Sequence, residues 1–117
     1  MAVLRIVANV AATAPADVQA FYTDLFGLEV LMDFGWIITL GSEAKAKTQM
    51  SLMSEGGSGA PVPDLSIEVD DVDSVHDRAR RMDSEVIYDL TDEPWGVRRF
   101  FVADPTGKVL NVLSHNS

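Results

Sequence analysis

The side chains able to do chemistry in this sequence are few. It has two histidines, His76 and His115, and no cysteine among 117 residues. The missing cysteine removes disulfides, thiolate metal sites and a Cys nucleophile. Helical spacing puts His76 on the outer side of its segment, and His115 stands near the chain end. Neither has a partner at metal-ligand spacing. Asp64, Ser66 and Glu68 alternate on one strand face, and two carboxylates so arranged name no reaction by themselves. Arg5 facing Asp64 reads as a structural ion pair rather than an acid–base couple. No nucleophile elbow, phosphate-cradling glycine loop or dinucleotide fingerprint is present. What remains suits binding: the rings of Phe34, Trp36, Trp95 and Phe101 are candidates to stack on a ligand. Arg98 and Arg99 read as solvated or subunit-edge charges, and Asp104 as a turn residue.

These side chains are positioned by a chain that repeats one plan. Val3 to Val10 alternates as a strand, with Leu4, Ile6, Ala8 and Val10 on one face and Arg5, Val7 and Asn9 on the other. A helix follows, with Thr13 as its cap, Pro15 in its first turn and Gly27 closing it. Val18, Phe21, Tyr22 and Leu25 form its apolar stripe. Strands are predicted at Leu28 to Phe34, Trp36 to Leu40 and Thr48 to Ser54, with a loop from Gly41 to Lys47. Residues 55–63 (EGGSGAPVP) are the one composition break and read as a flexible connector.

The second half starts again with a strand from Asp64 to Val69. The acidic run Asp70, Asp71, Asp73 caps a helix whose apolar face is Val75, Ala79 and Met82. Glu85 to Leu90 is a strand. Glu93-Pro94 ends it, and Val97 to Ala103 pairs with Val109 to Leu113 through the Asp104-Pro105-Thr106-Gly107 turn. Each half reads βαβββ, the first over residues 3–54 and the second over 64–115, within one domain spanning 1–117. Neither half covers its sheet alone, so they share a core or use a second chain.

Composition narrows the partners. The chain is 47% hydrophobic and 23% charged, ordinary for a globular domain. A formal charge of −9 argues against nucleic acid, which needs clustered Lys and Arg. No run approaches membrane-spanning length and no signal-peptide core opens the chain, so the expected location is cytoplasmic.

The PWG at residues 94–96, the apolar strand after it, the DPTG turn and the closing strand resemble the C-terminal hairpin of the vicinal oxygen chelate superfamily. That superfamily comprises glyoxalase I, extradiol dioxygenases, fosfomycin-resistance enzymes and bleomycin-resistance proteins. The resemblance implies an α+β fold in which two βαβββ modules form a cup-shaped, partly open mixed sheet. Its helix-free faces would line the cup with Arg5, Val7, Asn9, Gln49, Ser51, Met53, Asp64, Ser66, Glu68, Val109, Asn111 and Leu113. The family's metal-ligand positions fall on Arg5, Ser51, Asp64 and Asn111, side chains that cannot together hold a divalent ion. No metal and no cofactor is therefore expected. The resemblance is nearest in character to the metal-free bleomycin-resistance proteins, small acidic dimers that sequester a cationic, planar-ring drug. The reading favours a homodimer that binds a small organic molecule, such as an antibiotic, through Phe34, Trp36, Ser51, Asp64, Glu68, Trp95, Phe101 and Asn111. Two alternatives stand beside it: a metal-dependent lyase, isomerase or dioxygenase with unusual ligands, and a dimeric interaction module with a vestigial cup.

Overall fold

The structure, a computed structural model, describes residues 2–42 and 49–116. Eight strands and two helices occur among them, in an α+β order: β1 (Val3–Ala11), α1 (Pro15–Phe26), β2 (Glu29–Asp33), β3 (Ile37–Gly41), β4 (Gln49–Met53), β5 (Leu65–Val69), α2 (Val72–Arg81), β6 (Val86–Asp92), β7 (Val97–Ala103) and β8 (Val109–His115). Most of the loop expected from Gly41 to Lys47, and Thr48 at the head of the next strand, fall outside the described residues. The chain forms two compact units, residues 7–62 and residues 1–6 with 63–117. β1 is thus divided, its first residues belonging with the C-terminal half.

In the unit of residues 7–62 the strand order is β2, β3, β4, β1. β1 and β4 run parallel, pairing Asn9 with Ser51 and Val10 with Leu52, while β2–β3 and β3–β4 are antiparallel. Parallel neighbours need a long crossover, which α1 and the two strands after it supply. Ile38, Leu40 and Leu52 form the buried core, with Val10, Val18, Tyr22, Leu28 and Met50 packed on it. The apolar stripe of α1 is narrower than expected: Val18 and Tyr22 pack inward, whereas Phe21, Leu25 and Phe26 are exposed. Ala14, not Thr13, is the N-cap, and no side chain caps the helix. Pro15 takes the first turn as expected, and Gly27 closes the helix at φ 68°, where a side chain is disfavoured. The connector is not a loose tether over residues 55–62. Gly56 N–H donates to Ala60 O at 2.7 Å, Ala60 N–H to Gly57 O at 2.9 Å, and Gly59 N–H to Glu55 Oε1 at 2.9 Å.

The second unit has the order β6, β7, β8, β5, with β5 and β8 parallel and the β7–β8 and β6–β7 pairs antiparallel. Its N-terminal segment is tied in by Asp70 N–H to Ala2 O at 3.1 Å and Ala2 N–H to Asp70 Oδ1 at 2.8 Å. Asp71 caps α2 by accepting from Ser74 N–H at 3.1 Å. Val69, Val72, Ala79, Phe100 and Val112 form the core beneath α2. Two expectations fail here. Leu4 and Ile6 are exposed rather than under a helix, because α2 packs on β6, β7 and β8. Met82 is also exposed, since it is the C-cap and follows the last helical turn. No described helix is long and apolar enough to cross a membrane.

Candidate ligand-binding site

In the second unit, strand alternation and register bring the polar candidates onto one sheet face. Ser66 lies opposite Asn111, and Glu68 opposite Leu113, which in turn faces Arg99. Phe101 lies across from Asn111 on the other side. Asn111 Nδ2 donates to Ser66 Oγ at 3.1 Å. The Oδ1 of Asn111 is buried and has no hydrogen-bond partner among the described residues. An unmet acceptor of this kind costs on the order of 1–3 kcal/mol, which a ligand or water donor would relieve.

Arg99 corrects the sequence reading most sharply. Its side chain is 2% exposed and its partner Glu93 3% exposed. Arg99 Nε and Nη2 donate to Glu93 Oε2 at 2.7 and 2.6 Å. Tyr88 OH donates to the same oxygen at 2.9 Å. The guanidinium carbon lies 5.0, 5.0 and 4.8 Å from the ring centres of Tyr88, Trp95 and Phe101. A weakly hydrated, planar cation is suited to such stacking, and a lysine would not replace it. Arg98, pointing to the opposite face, is half-exposed and reaches Asp73 at 3.0 Å and Asp92 at 3.2 Å. Period-two alternation through Val97, Arg99 and Phe101 was the available signal, because it puts Arg99 on the face of Asn111.

Nearby, Arg5 Nε donates to Glu68 Oε1, and His115 Nδ1 lies 2.7 Å from Glu68 Oε2. Burial pushes the Glu68 carboxyl up, but the hydrogen bonds from His115 and Arg5 outweigh it and hold the group below its ordinary value. His115, near the chain end, is the last residue of β8 and is engaged with Glu68. Arg5 pairs with Glu68 rather than with Asp64. Asp64 is exposed, just ahead of β5, and its Oδ2 accepts from Val109 N–H at 2.8 Å. His76 is likewise not on an outer helix face: its ring meets Phe100 edge-on at 4.9 Å, in the i, i+4 stripe with Val72.

Three expected site residues belong to the other unit. Ser51 Oγ lies 2.8 Å from Thr39 Oγ1, and both are buried. Phe34 and Trp36 sit in the β2–β3 turn rather than in strands; Phe34 is exposed and Trp36 half-buried.

The four residues on which the resemblance would place the family's metal ligands are a guanidinium (Arg5), a hydroxyl paired with Thr39 (Ser51), a carboxylate bonded to backbone (Asp64) and an amide (Asn111). Among the described residues no three His, Cys, Asp or Glu gather where an ion could be held. These side chains do not fit a divalent ion.

Comparison with known proteins agrees with this fold. Residues 6–112 match the family model of the Glyoxalase/Bleomycin resistance protein/Dioxygenase superfamily. No curated protein matches the sequence. Among solved structures, one described as an NAD-dependent benzaldehyde dehydrogenase from Legionella pneumophila is 18% identical, covering 96% of this chain and 100% of its own, with a TM-score of 0.78. A superfamily member from Vibrio splendidus 12B01 is 18% identical over 97% of this chain and 99% of its own, TM-score 0.67. Methylmalonyl-CoA epimerase from Mycobacterium tuberculosis is 16% identical over 98% and 88%, TM-score 0.65. At these identities the likeness is one of fold alone. The family model spans nearly the whole chain, and the protein belongs to the glyoxalase/bleomycin resistance/dioxygenase superfamily.

Proposed function

We propose that the protein binds a small organic molecule, cationic or aromatic in character, without a metal, on the polar face of its sheet. The observation that carries this reading is the buried, unpartnered Oδ1 of Asn111 beside Phe101, on the face that also holds Arg99 and its rings. Phe101 is fully buried and backs the site from within, while the half-buried Trp95 is the ring left to meet a planar ligand that carries a hydrogen-bond donor. The formal charge of −9 favours approach of a cation. Trp95, Glu68 and Asp64 complete the proposed set in this unit, Ser51, Phe34 and Trp36 are candidate contacts on the other unit taken by itself, and we read the chain as a single domain of two βαβββ modules joined by residues 55–63. Superfamily members are often dimers, and the exposed Phe21, Leu25 and Phe26 of α1 support a homodimer here. A cytoplasmic location and the absence of a nucleic-acid partner belong to the same reading. The test is a screen of cationic glycopeptide drugs and small aromatic cations, read by tryptophan fluorescence and melting temperature. A dose-dependent rise in melting temperature that Trp95→Ala abolishes supports the site. A rise untouched by Trp95→Ala moves the ligand elsewhere.

A second reading is an enzyme of the glyoxalase type that uses a metal with unusual ligands. The Glu68–His115 contact is what favours it, since it sets a carboxylate and an imidazole side by side on adjacent strands, β5 and β8. Stoichiometric nickel, zinc, manganese or iron in protein purified without chelator would support it over the binding reading.

A further inference from the structure

The other side of the second unit's sheet, beneath the C-terminal end of α2, bears an open-mouthed cavity of about 550 Å³. Phe100 and Phe101 are consecutive on β7 and point to opposite faces, so this cavity is separate from the face that carries Asn111. Its walls are apolar: Val75 and Ala79 from α2, Phe100 and Val102 from β7, and Leu110 from β8. Its rim is charged with a bias. Asp83, Glu85 and Asp104 line it against the single cation Arg78. The rim is also held in shape. Asp83 adopts φ 53°, Ser84 N–H donates to Ala79 O at 3.0 Å, and Ala103 N–H donates to Glu85 O at 2.9 Å. Asp104 is fixed by accepting from Thr106 N–H at 2.8 Å and Lys108 N–H at 3.0 Å.

We infer that this cavity is a second binding site, for lipophilic monocations with a compact apolar body and a tertiary or quaternary ammonium. The volume lies within the range of small-molecule sites, and the apolar walls suit an aryl or alkyl body. The acidic excess at the mouth meets the ammonium where solvent still screens it, so that the site selects for charge sign as well as for shape. The exposed thioether of Met82 lies at the opening and adds an adaptable apolar lip.

The experiment is a titration of the full chain with benzyltriethylammonium, followed by amide chemical shifts, with benzenesulfonate as the anionic counterpart. The cation is expected to move the amides of Val75, Ala79, Val102 and Leu110 saturably, and benzenesulfonate to leave them in place. Asp83→Lys with Glu85→Lys, both at exposed rim positions, is expected to weaken the cation at least about five-fold, because each reversal changes a Coulomb term near the mouth. Trp95→Ala is expected to leave the titration unchanged, which separates this site from the one on the opposite face. Ala79→Phe, which fills the cavity, is expected to abolish the shifts. If it unfolds the chain, the rim variant still decides. Equal binding of benzenesulfonate, an unaltered affinity in the rim variant, shifts confined to the face of Asn111, or no shift at all would each overturn the inference.

Discussion

Replacing Glu93 with Gln tests whether the arginine cluster is as tightly coupled as its geometry indicates. Glu93→Gln keeps the size and one acceptor oxygen but removes the charge that faces Arg99. The guanidinium, 2% exposed, then loses the charged acceptor that it meets at 2.6 and 2.7 Å. Breaking a buried pair by removing one partner costs about 3–5 kcal/mol. For a domain of 117 residues each kcal/mol shifts the melting temperature by roughly 3–5 °C, so the variant should melt about 9–25 °C below the parent. The double replacement Glu93→Leu with Arg99→Met removes both charges and should recover most of that loss, since apolar replacement of a buried pair is often neutral. Differential scanning calorimetry of the three proteins reads the result. A Glu93→Gln protein melting within about 2 °C of the parent would show that water reaches Arg99 and refute the reasoning.

Three further outcomes are expected. The Glu68 carboxyl is held below its ordinary value of 4.5, so its stabilisation is present above that pH and lost as pH falls through the lowered value. The melting-temperature advantage of the parent over Glu68→Gln should therefore hold from neutrality to about pH 4.5 and vanish below it; an advantage unchanged into strong acid would contradict the pairing. A Cβ on Gly56 would stand 2.1 Å from Pro61 O, so Gly56→Ala should lower urea stability by about 1–3 kcal/mol or displace the 55–62 loop. Asp71→Ala removes the acceptor for Ser74 N–H and should cost about 1 kcal/mol in the same assay.

The strands, both helices and the turn at Asp104 were legible in the sequence because each rests on local rules. Alternation marks the strands, and Pro15 and Gly27 bracket α1. Asp104 Oδ1 bonds the turn it opens, with Gly107 at φ 87°. What local rules could not supply was pairing across elements. Arg99 looked solvated because adjacent arginines ordinarily are, and its partner Glu93 lies beyond a turn where no periodicity applies. His115 was discounted by its place near the chain end, although its alternation with Asn111 and Leu113 already aimed it at Glu68. Leu4 and Ile6 followed the apolar pattern of a covered face, yet coverage depends on which strands a helix crosses. Asp64 was assigned to the cup by strand parity, whereas the backbone N–H of Val109 offers it a nearer partner. The alternation of Ser66 with Glu68, and of Asn111 with Leu113, did carry the shared face on which the candidate site is built.

The central claim is that a small molecule binds here with no ion to anchor it. The most direct measurement is the ligand-induced rise in melting temperature of protein stripped by a chelator and dialysed. A saturable rise is expected, unchanged when zinc, nickel or manganese is returned. A rise that appears only after a divalent ion is restored would contradict it.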